Sequence, residues 1–269
     1  MQAFTYAKPT SLADAARAAR ADGAKLIAGG QTLLASMKLG LAAPEALVDL
    51  AAIADLKGIT VSGGVVKIGA MTSHAAVAAS ADVQQAIPAL AELAGKIGDR
   101  QVRNRGTIGG SLANNDPAAC YPAAVLGLGA TVHTHSASGD RNIAADDFFK
   151  GMFETALAEG EVITAVSFPV PEKAGWQKFK QPASRFSIVG VFFSKGLASQ
   201  GGGVRVAVTG AGACVFRAKG LEAKLAANWS AAALAGATVS ADGLNTDLHG
   251  SAEYRAALIP VLAGRAVAG

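Results

Sequence analysis

The stretch TIGGSLANNDPAAC, residues 107–120, decides how the rest of the chain is read. A β-branched pair, Thr107-Ile108, leads into Gly109-Gly110, and small or polar residues follow as far as Asp116-Pro117. The small-residue run continues through PAAVLGLGA at 122–130, and nothing in either piece is bulky enough to be expected to fill a core. Backbone without Cβ atoms lets an outside group come close, and N–H groups at such a turn favour phosphate. A second stretch of the same character, AGGQTLL, lies at 28–34. There a strand ends, two glycines permit positive φ, and a helix can begin. Taken singly, each has a plainer alternative. The earlier stretch fits an ordinary turn; the later one fits an Ala-rich helix start with Asp116 as cap and Pro117 in its first position. Taken together, they predict two loops clamping one dinucleotide.

The chain has 269 residues, enough for one large domain or two of ordinary size. It is 51% hydrophobic and 16% charged, the composition of an Ala/Gly-rich globular protein rather than a disordered one. Mean hydropathy is +0.33, but alanine supplies most of it. No apolar run reaches the roughly 18 residues that a transmembrane helix needs. The N-terminus, MQAFTYAKPT, lacks the basic and apolar regions of a secretory signal, so the expected location is the cytoplasm. Cys120 and Cys214 are the only cysteines. They are too few to ligate an iron–sulfur cluster within the chain, and they give little support for a disulfide framework. The net charge of +4 and pI near 9.1 favour anionic partners or reflect ordinary variation. Lys and Arg are scattered and aromatics are few, so nucleic acid is not an expected partner.

Strand, capped helix, strand, glycine loop and strand alternate over residues 4–50, the pattern of an α/β segment. The strand predicted at 25–28 is short and buried. Residues 58–70 read as a hairpin turning at Gly63-Gly64. Thr72 or Ser73 caps a helix from His74, and a second helix over 83–97 breaks near Pro88. Arg100, Arg103 and Arg105 then precede the second glycine stretch; they offer a docking face for acidic partners or a solvated helix face. A strand over 161–169 ends in prolines, and 169–175 is the expected domain boundary. Beyond it, strands at 176–180, 188–195, 204–209 and 213–218 are followed by helices at 221–228, 231–234 and 253–267, with a hairpin tip at Gly201–Gly203. The expected class is α+β.

No Gly-Lys-Ser/Thr phosphate loop occurs, and the glycines at 127 and 129 precede a strand rather than a strand-to-helix turn, so a nicotinamide-type dinucleotide fold is not expected. His133 and His135 alternate on a predicted strand without patterned carboxylates or cysteines, which predicts surface residues and no metal site. No Ser-His-Asp set is visible, His74 and His249 lie in unpromising contexts, and no catalytic residue is assigned.

The two glycine stretches in this order, AGGQTLLASMKLGLAAPEALVDL and GTIGGSLANNDPAACYPAAVLGLGA, resemble the FAD-binding medium subunit of the xanthine dehydrogenase/carbon monoxide dehydrogenase family of molybdenum hydroxylases. The resemblance continues in register through IGAMTSHAAVA, IGDRQVRNRGTIGG, EVITAVSFPVP, FKQPASRFSIVG, VAVTGAGA and GSAEYRAALIPVLAGRAV. It implies a two-lobed FAD-binding domain of the vanillyl-alcohol-oxidase (PCMH) type over residues 1–172, with lobes of about 1–57 and 58–172. A smaller α+β domain would follow over 173–269.

By the same resemblance, the FAD pyrophosphate is held by main-chain groups of Ala28, Gly29, Gly30, Gln31 and Thr32, and of Thr107, Ile108, Gly109, Gly110 and Ser111. Leu33 and Ile163 line the flavin, Asn114 and Asp116 contact the ribityl or adenosine part, and Lys180 lies near a flavin carbonyl. Two positions depart from the pattern. Cys120 stands where relatives commonly carry an acid, and Gln31 stands where some carry His. With neither His nor Cys in 28–34, FAD is expected to be non-covalent.

The implied role is electron relay. A large partner subunit holds the molybdenum cofactor, a small one holds 2Fe–2S clusters, and this chain passes electrons to an external acceptor. The implied assembly is a dimer of heterotrimers. Two rivals remain at this stage: a free-standing flavin oxidoreductase, and a scaffold subunit that binds FAD weakly. Substrate and acceptor are open.

Overall fold

The computed structural model describes residues 2–197 and 202–268. Its first 56 residues build a small parallel sheet from β1 (Thr5–Ala7), β2 (Ala24–Ile27) and β3 (Ala46–Asp49), in the order β1-β3-β2. The connections are α1 (Leu12–Ala18) and α2 (Leu33–Lys38). Ser11 caps α1, its Oγ accepting from the Asp14 N–H at 3.1 Å. Gly23, at φ +66°, turns the chain after the helix. β2 is an edge strand and half-buried, not buried as the sequence suggests; Lys25 faces solvent. Ala15, Ala16, Val48, Leu50, Ile53 and Leu56 pack beneath the sheet with Met71 and Val162 from the next lobe.

That lobe carries a five-stranded antiparallel sheet. Its strands are β4 (Ile59–Ser62), β5 (Val65–Gly69), β6 (Thr131–Ser136), β7 (Gly139–Ala144) and a later strand over Val162–Pro169. The β4–β5 turn uses Gly63 and Gly64 at φ +57° and +74°, as the sequence predicts. Six helices lie between β5 and β6: α3 (His74–Ala79), α4 (Ala81–Ala86), α5 (Pro88–Gly95), α6 (Arg100–Arg105), α7 (Ile108–Asn114) and α8 (Tyr121–Gly127). Pro88 opens α5, where its missing N–H costs nothing. After β7 come α9 (Ala145–Phe148) and a short ribbon of β8 (Phe149–Gly151) and β9 (Glu154–Thr155); the later strand is β10, and the sheet order is β4-β5-β10-β6-β7.

The small-residue run overturns its expectation. Every residue of α8 is buried, and Ile108 and Leu112 on α7 are fully buried with it. Because its side chains are small, α8 lies close against a second sheet. A Cβ on Gly127 would come within 2.9 Å of the Phe192 ring. The helix starts at Tyr121, not Pro117, and Pro122 occupies its first turn.

The second sheet is antiparallel, β11 (Lys173–Lys180), β12 (Ser187–Lys195), β13 (Val204–Thr209) and β14 (Phe216–Arg217), in that order. β14 is two residues long where six are predicted. α10 (Lys219–Ala227) and α11 (Ala252–Ala268) pack into its core through Leu221, Leu225, Ile259 and Leu262. Through Trp176, Phe192 and Ala207 the same sheet also joins the core of α7 and α8. β12 is therefore buried over eight of its nine residues. Buried arginines stitch these layers. Arg205 donates from Nε to Leu126 O (2.9 Å) and from Nη2 to both Asp146 oxygens; Arg255 donates to Ile188 O, Gly210 O and Asp247. Gly201, part of the predicted hairpin tip, lies outside the described residues. Among the described residues, no helix is long and apolar enough to cross a membrane.

Candidate functional site

A cleft of about 860 Å³ separates the parallel-sheet lobe from the larger one. β2 delivers the chain to its floor at Ala28. Gly29 has no alternative residue, because a Cβ there would lie 2.1 Å from Arg105 O. Gly30 follows at φ +71°. Among the described residues, the main-chain N–H groups of Gly29, Gly30, Gln31 and Thr32 have no hydrogen-bond partner.

The second glycine loop meets the first. Ala28 Cβ stands 3.3 Å from where a Cβ on Gly110 would lie, and a Cβ on Gly109 would strike Ala70 at 2.6 Å. Thr107 caps α7, its Oγ1 accepting from the Gly110 N–H at 3.1 Å. The N–H groups of Ile108, Gly109 and Ser111 donate to Thr72 O, Ala70 O and Thr107 O. The expectation of free donors in both loops therefore holds for the first loop, whereas in the second only the Thr107 N–H has no partner among the described residues. The second supplies close approach instead, together with side chains: the Ser111 hydroxyl and the Asn114 amide have no hydrogen-bond partner among the described residues, and both residues line the cleft. Asp116 lines it too, with Oδ1 accepting from the Ala118 N–H.

Of the residues named from sequence, Ala28–Leu33, Thr107, Gly109–Ser111, Asn114, Asp116 and Ile163 share this cleft. Ile108 is buried behind it. Lys180 is exposed at the end of β11, beyond a register shift between Phe179 and Lys180, and is not part of the wall. The lysine that reaches the wall is Lys178, whose Nζ donates to Lys96 O (2.8 Å), Arg185 O (2.9 Å) and the cleft-lining Cys120 Sγ (3.4 Å). Cys120 Sγ also lies 3.5 Å from Ser187 Oγ, and both cysteines are free thiols.

Several residues on or behind the wall are invisible to a sequence reading. Asn115, left-handed at φ +43°, ends α7; its Nδ2 donates to Gly151 O and Glu154 O, and its carbonyl accepts from Phe153 N–H. This ties the turn that brings Phe153, itself at φ +57°, to the cleft mouth. Arg185, at φ +61°, stands there too and donates to Gly98 O. Glu161 is buried and accepts from Arg141, Thr134 and the Ala158 N–H. Burial alone would raise its pKa, but these hydrogen bonds hold the carboxyl below its usual range. His74 lines the cleft, 5% exposed, with Nδ1 unpartnered. Arg103 donates to Ile97 O and Gly98 O, so one of the three arginines is spent on the loop before α6.

Glycines that admit no Cβ, four unpaired main-chain donors, free hydroxyl and amide groups and an apolar wall suit a ligand that joins phosphate to an apolar part. Among the described residues, no group of His, Cys, Asp and Glu could hold a metal. Residues 2–171 match the family described as FAD binding domain in molybdopterin dehydrogenase.

The chain belongs to that family.

Similarity to the family extends over nearly its whole length. The chain is 35% identical to the nicotine 6-hydroxylase medium subunit of Paenarthrobacter nicotinovorans, covering 99% of this chain and 97% of the relative. It is 34% identical to the carbon monoxide dehydrogenase medium chain of Hydrogenophaga pseudoflava, with 98% and 96% covered. A chain of the reconstituted CO dehydrogenase from Oligotropha carboxidovorans superposes with a TM-score of 0.89 at 31% identity, with 99% and 97% covered. The family thus carries the FAD-binding fold and cofactor, and the chain is the flavoprotein subunit of an oxidoreductase.

Proposed function

We propose that this chain is the electron-relay subunit of a molybdenum hydroxylase, seated between a large molybdenum subunit and a small iron–sulfur subunit in a dimer of heterotrimers. The observation that carries the reading is the pair of touching glycine loops, one of which presents four unpaired N–H groups to the cleft. Those donors bind the pyrophosphate of non-covalent FAD, and the second loop, having no Cβ at 109 or 110, lets it approach. Ser111 and Asn114 orient the polar chain on either side, and Asp116 accepts from it. Leu33 and Ile163 form apolar wall that keeps water from the ring. Lys180 is exposed and its ammonium has no partner among the described residues, which leaves it free to reach a ring carbonyl from the rim.

When bound, FAD would supply the one-electron chemistry by which electrons from the iron–sulfur subunit pass to an external acceptor. The site needs no acid–base pair of its own for this. The domain boundary proposed at 172/173 is supported by the family match ending at residue 171. A cytoplasmic location is part of the same proposal.

Native purification tests the reading. The expected preparation is yellow and contains molybdenum and iron in larger and smaller companion chains. Its flavin bleaches when a purine, aldehyde, N-heterocycle or carbon monoxide is supplied. A yellow chain that purifies alone and is reduced directly by a substrate supports the free-standing oxidoreductase instead, and a colourless complex supports the scaffold.

A further inference from the structure

His74 opens α3 at the base of the second glycine loop, and three contacts fix its ring. Its main-chain N–H donates to Gly106 O at 2.9 Å. Its Nε2 stands so close to Gly106 that a Cβ there would fall at 2.5 Å. Its ring tilts against Tyr121 with centroids 5.3 Å apart. The preceding residue, Ser73, caps α3 through Oγ and bridges to Thr107. His74 is thus held by main-chain and ring contacts, none of them a hydrogen bond to an imidazole nitrogen among the described residues.

A neutral imidazole carries one donor and one acceptor nitrogen, and burying either without a partner costs free energy. A phenylalanine would fill the same space against Tyr121 without that cost. No carboxylate pairs with His74 among the described residues, and no metal cluster includes it. Burial and the nearby Arg103 charge keep it neutral at physiological pH. Nδ1 is enclosed without a partner even with the cleft empty; Nε2, which has no hydrogen-bond partner among the described residues and is not so enclosed, is the nitrogen that a ligand in the cleft can reach.

We propose that His74 is a further cofactor-binding residue of this cleft, the Nε2 of its neutral imidazole completing a hydrogen bond to bound FAD directly or through one ordered water. The inference rests on the FAD reading above. His74 and the second glycine loop then act as one unit, since the ring leans on Gly106 and the residue after Gly106 caps α7.

The test uses the full-length chain and its His74→Phe and His74→Gln variants, with FAD itself as the probe. Flavin fluorescence titration gives affinity, thermal unfolding without FAD gives stability, and ¹⁵N-imidazole NMR of the wild type reports on the ring. The expected result is a His74→Phe protein that unfolds without FAD at the wild-type temperature or above it, yet binds FAD at least tenfold more weakly. His74→Gln recovers part of that loss, and the wild-type imidazole ¹⁵N signals shift on adding FAD. Wild-type affinity in His74→Phe with unmoved ¹⁵N signals overturns the inference and leaves His74 bonded to trapped water alone. Stability and affinity falling together with unmoved signals overturn it in favour of a packing role. If His74→Phe does not fold, the wild-type ¹⁵N titration decides. A wild type that binds no FAD overturns the cofactor reading as well, and so differs from a failure confined to His74.

Discussion

Gly29 and Gly40 look alike in the sequence and differ in what surrounds them. Gly40, at φ +73°, has open space where a Cβ would go; Gly29 has Arg105 O at 2.1 Å. Gly40→Ala is expected to cost about 1 kcal/mol of stability through its left-handed backbone and to leave FAD binding intact. Gly29→Ala must displace the chain at Arg105–Gly106, costing roughly 3 kcal/mol and most of the bound flavin. Unfolding midpoints and the flavin-to-protein absorbance ratio separate the two. His74 makes a pH prediction. Burial first, and Arg103 second, lower its pKa from the usual 6.5 to about 4. Between those values the unfolded chain takes up a proton that the folded chain refuses. The stabilisation is therefore complete above about pH 6.5 and falls away towards pH 4, by on the order of 3 kcal/mol. The difference in unfolding free energy between wild type and His74→Phe, followed from pH 7.5 to 4.5, should move against the wild type as pH drops; a constant difference refutes it. At this scale the glycines were legible and His74 was not, because nothing in TSHAAVA signals that the ring will face a cleft.

α7 and α8 show what an element gains from its neighbours. The run from 107 to 130 has the composition of a loop and a weak helix, yet α8 is the most completely buried helix of its lobe. Its small residues are the means of burial, since they let it approach Phe192 and β13 closely. Gly127→Val, which would overlap the Phe192 ring, is expected to destabilise the protein by about 1–3 kcal/mol in denaturant unfolding. The end of α7 is set by Asn115. Replacing it with Ala removes two hydrogen bonds to the 151–154 turn and leaves a left-handed residue with a Cβ. A loss of about 2–4 kcal/mol is expected, with faster proteolysis at 151–154 and looser FAD. Asn115→Gly, which tolerates the backbone but lacks the amide, should fall between the two. The sequence offers a helix here only as the plainer alternative, starting at Asp116-Pro117, because composition says nothing about packing against a sheet from more than 60 residues away.

For the whole molecule, the decisive contacts join segments far apart in the chain. Arg205 on β13 reaches Leu126 O at the end of α8 and the carboxylate of Asp146. Asp146→Ala leaves this guanidinium buried without its carboxylate. Because Asp146 is itself half exposed, the expected cost is about 2 kcal/mol rather than the full value of a buried pair, read as a lowered unfolding midpoint. The sequence by itself determined the α+β class, the position of most strands, the two glycine loops and the family, because these are written in local periodicity and in backbone needs that only glycine meets. The tertiary structure decided that the two loops touch, which of them keeps its N–H groups free, that Lys178 rather than Lys180 meets the wall, and that His74 waits in it unpaired. Each of those depends on which main-chain groups are already bonded and on atoms brought together from distant segments, and neither is encoded in any single stretch.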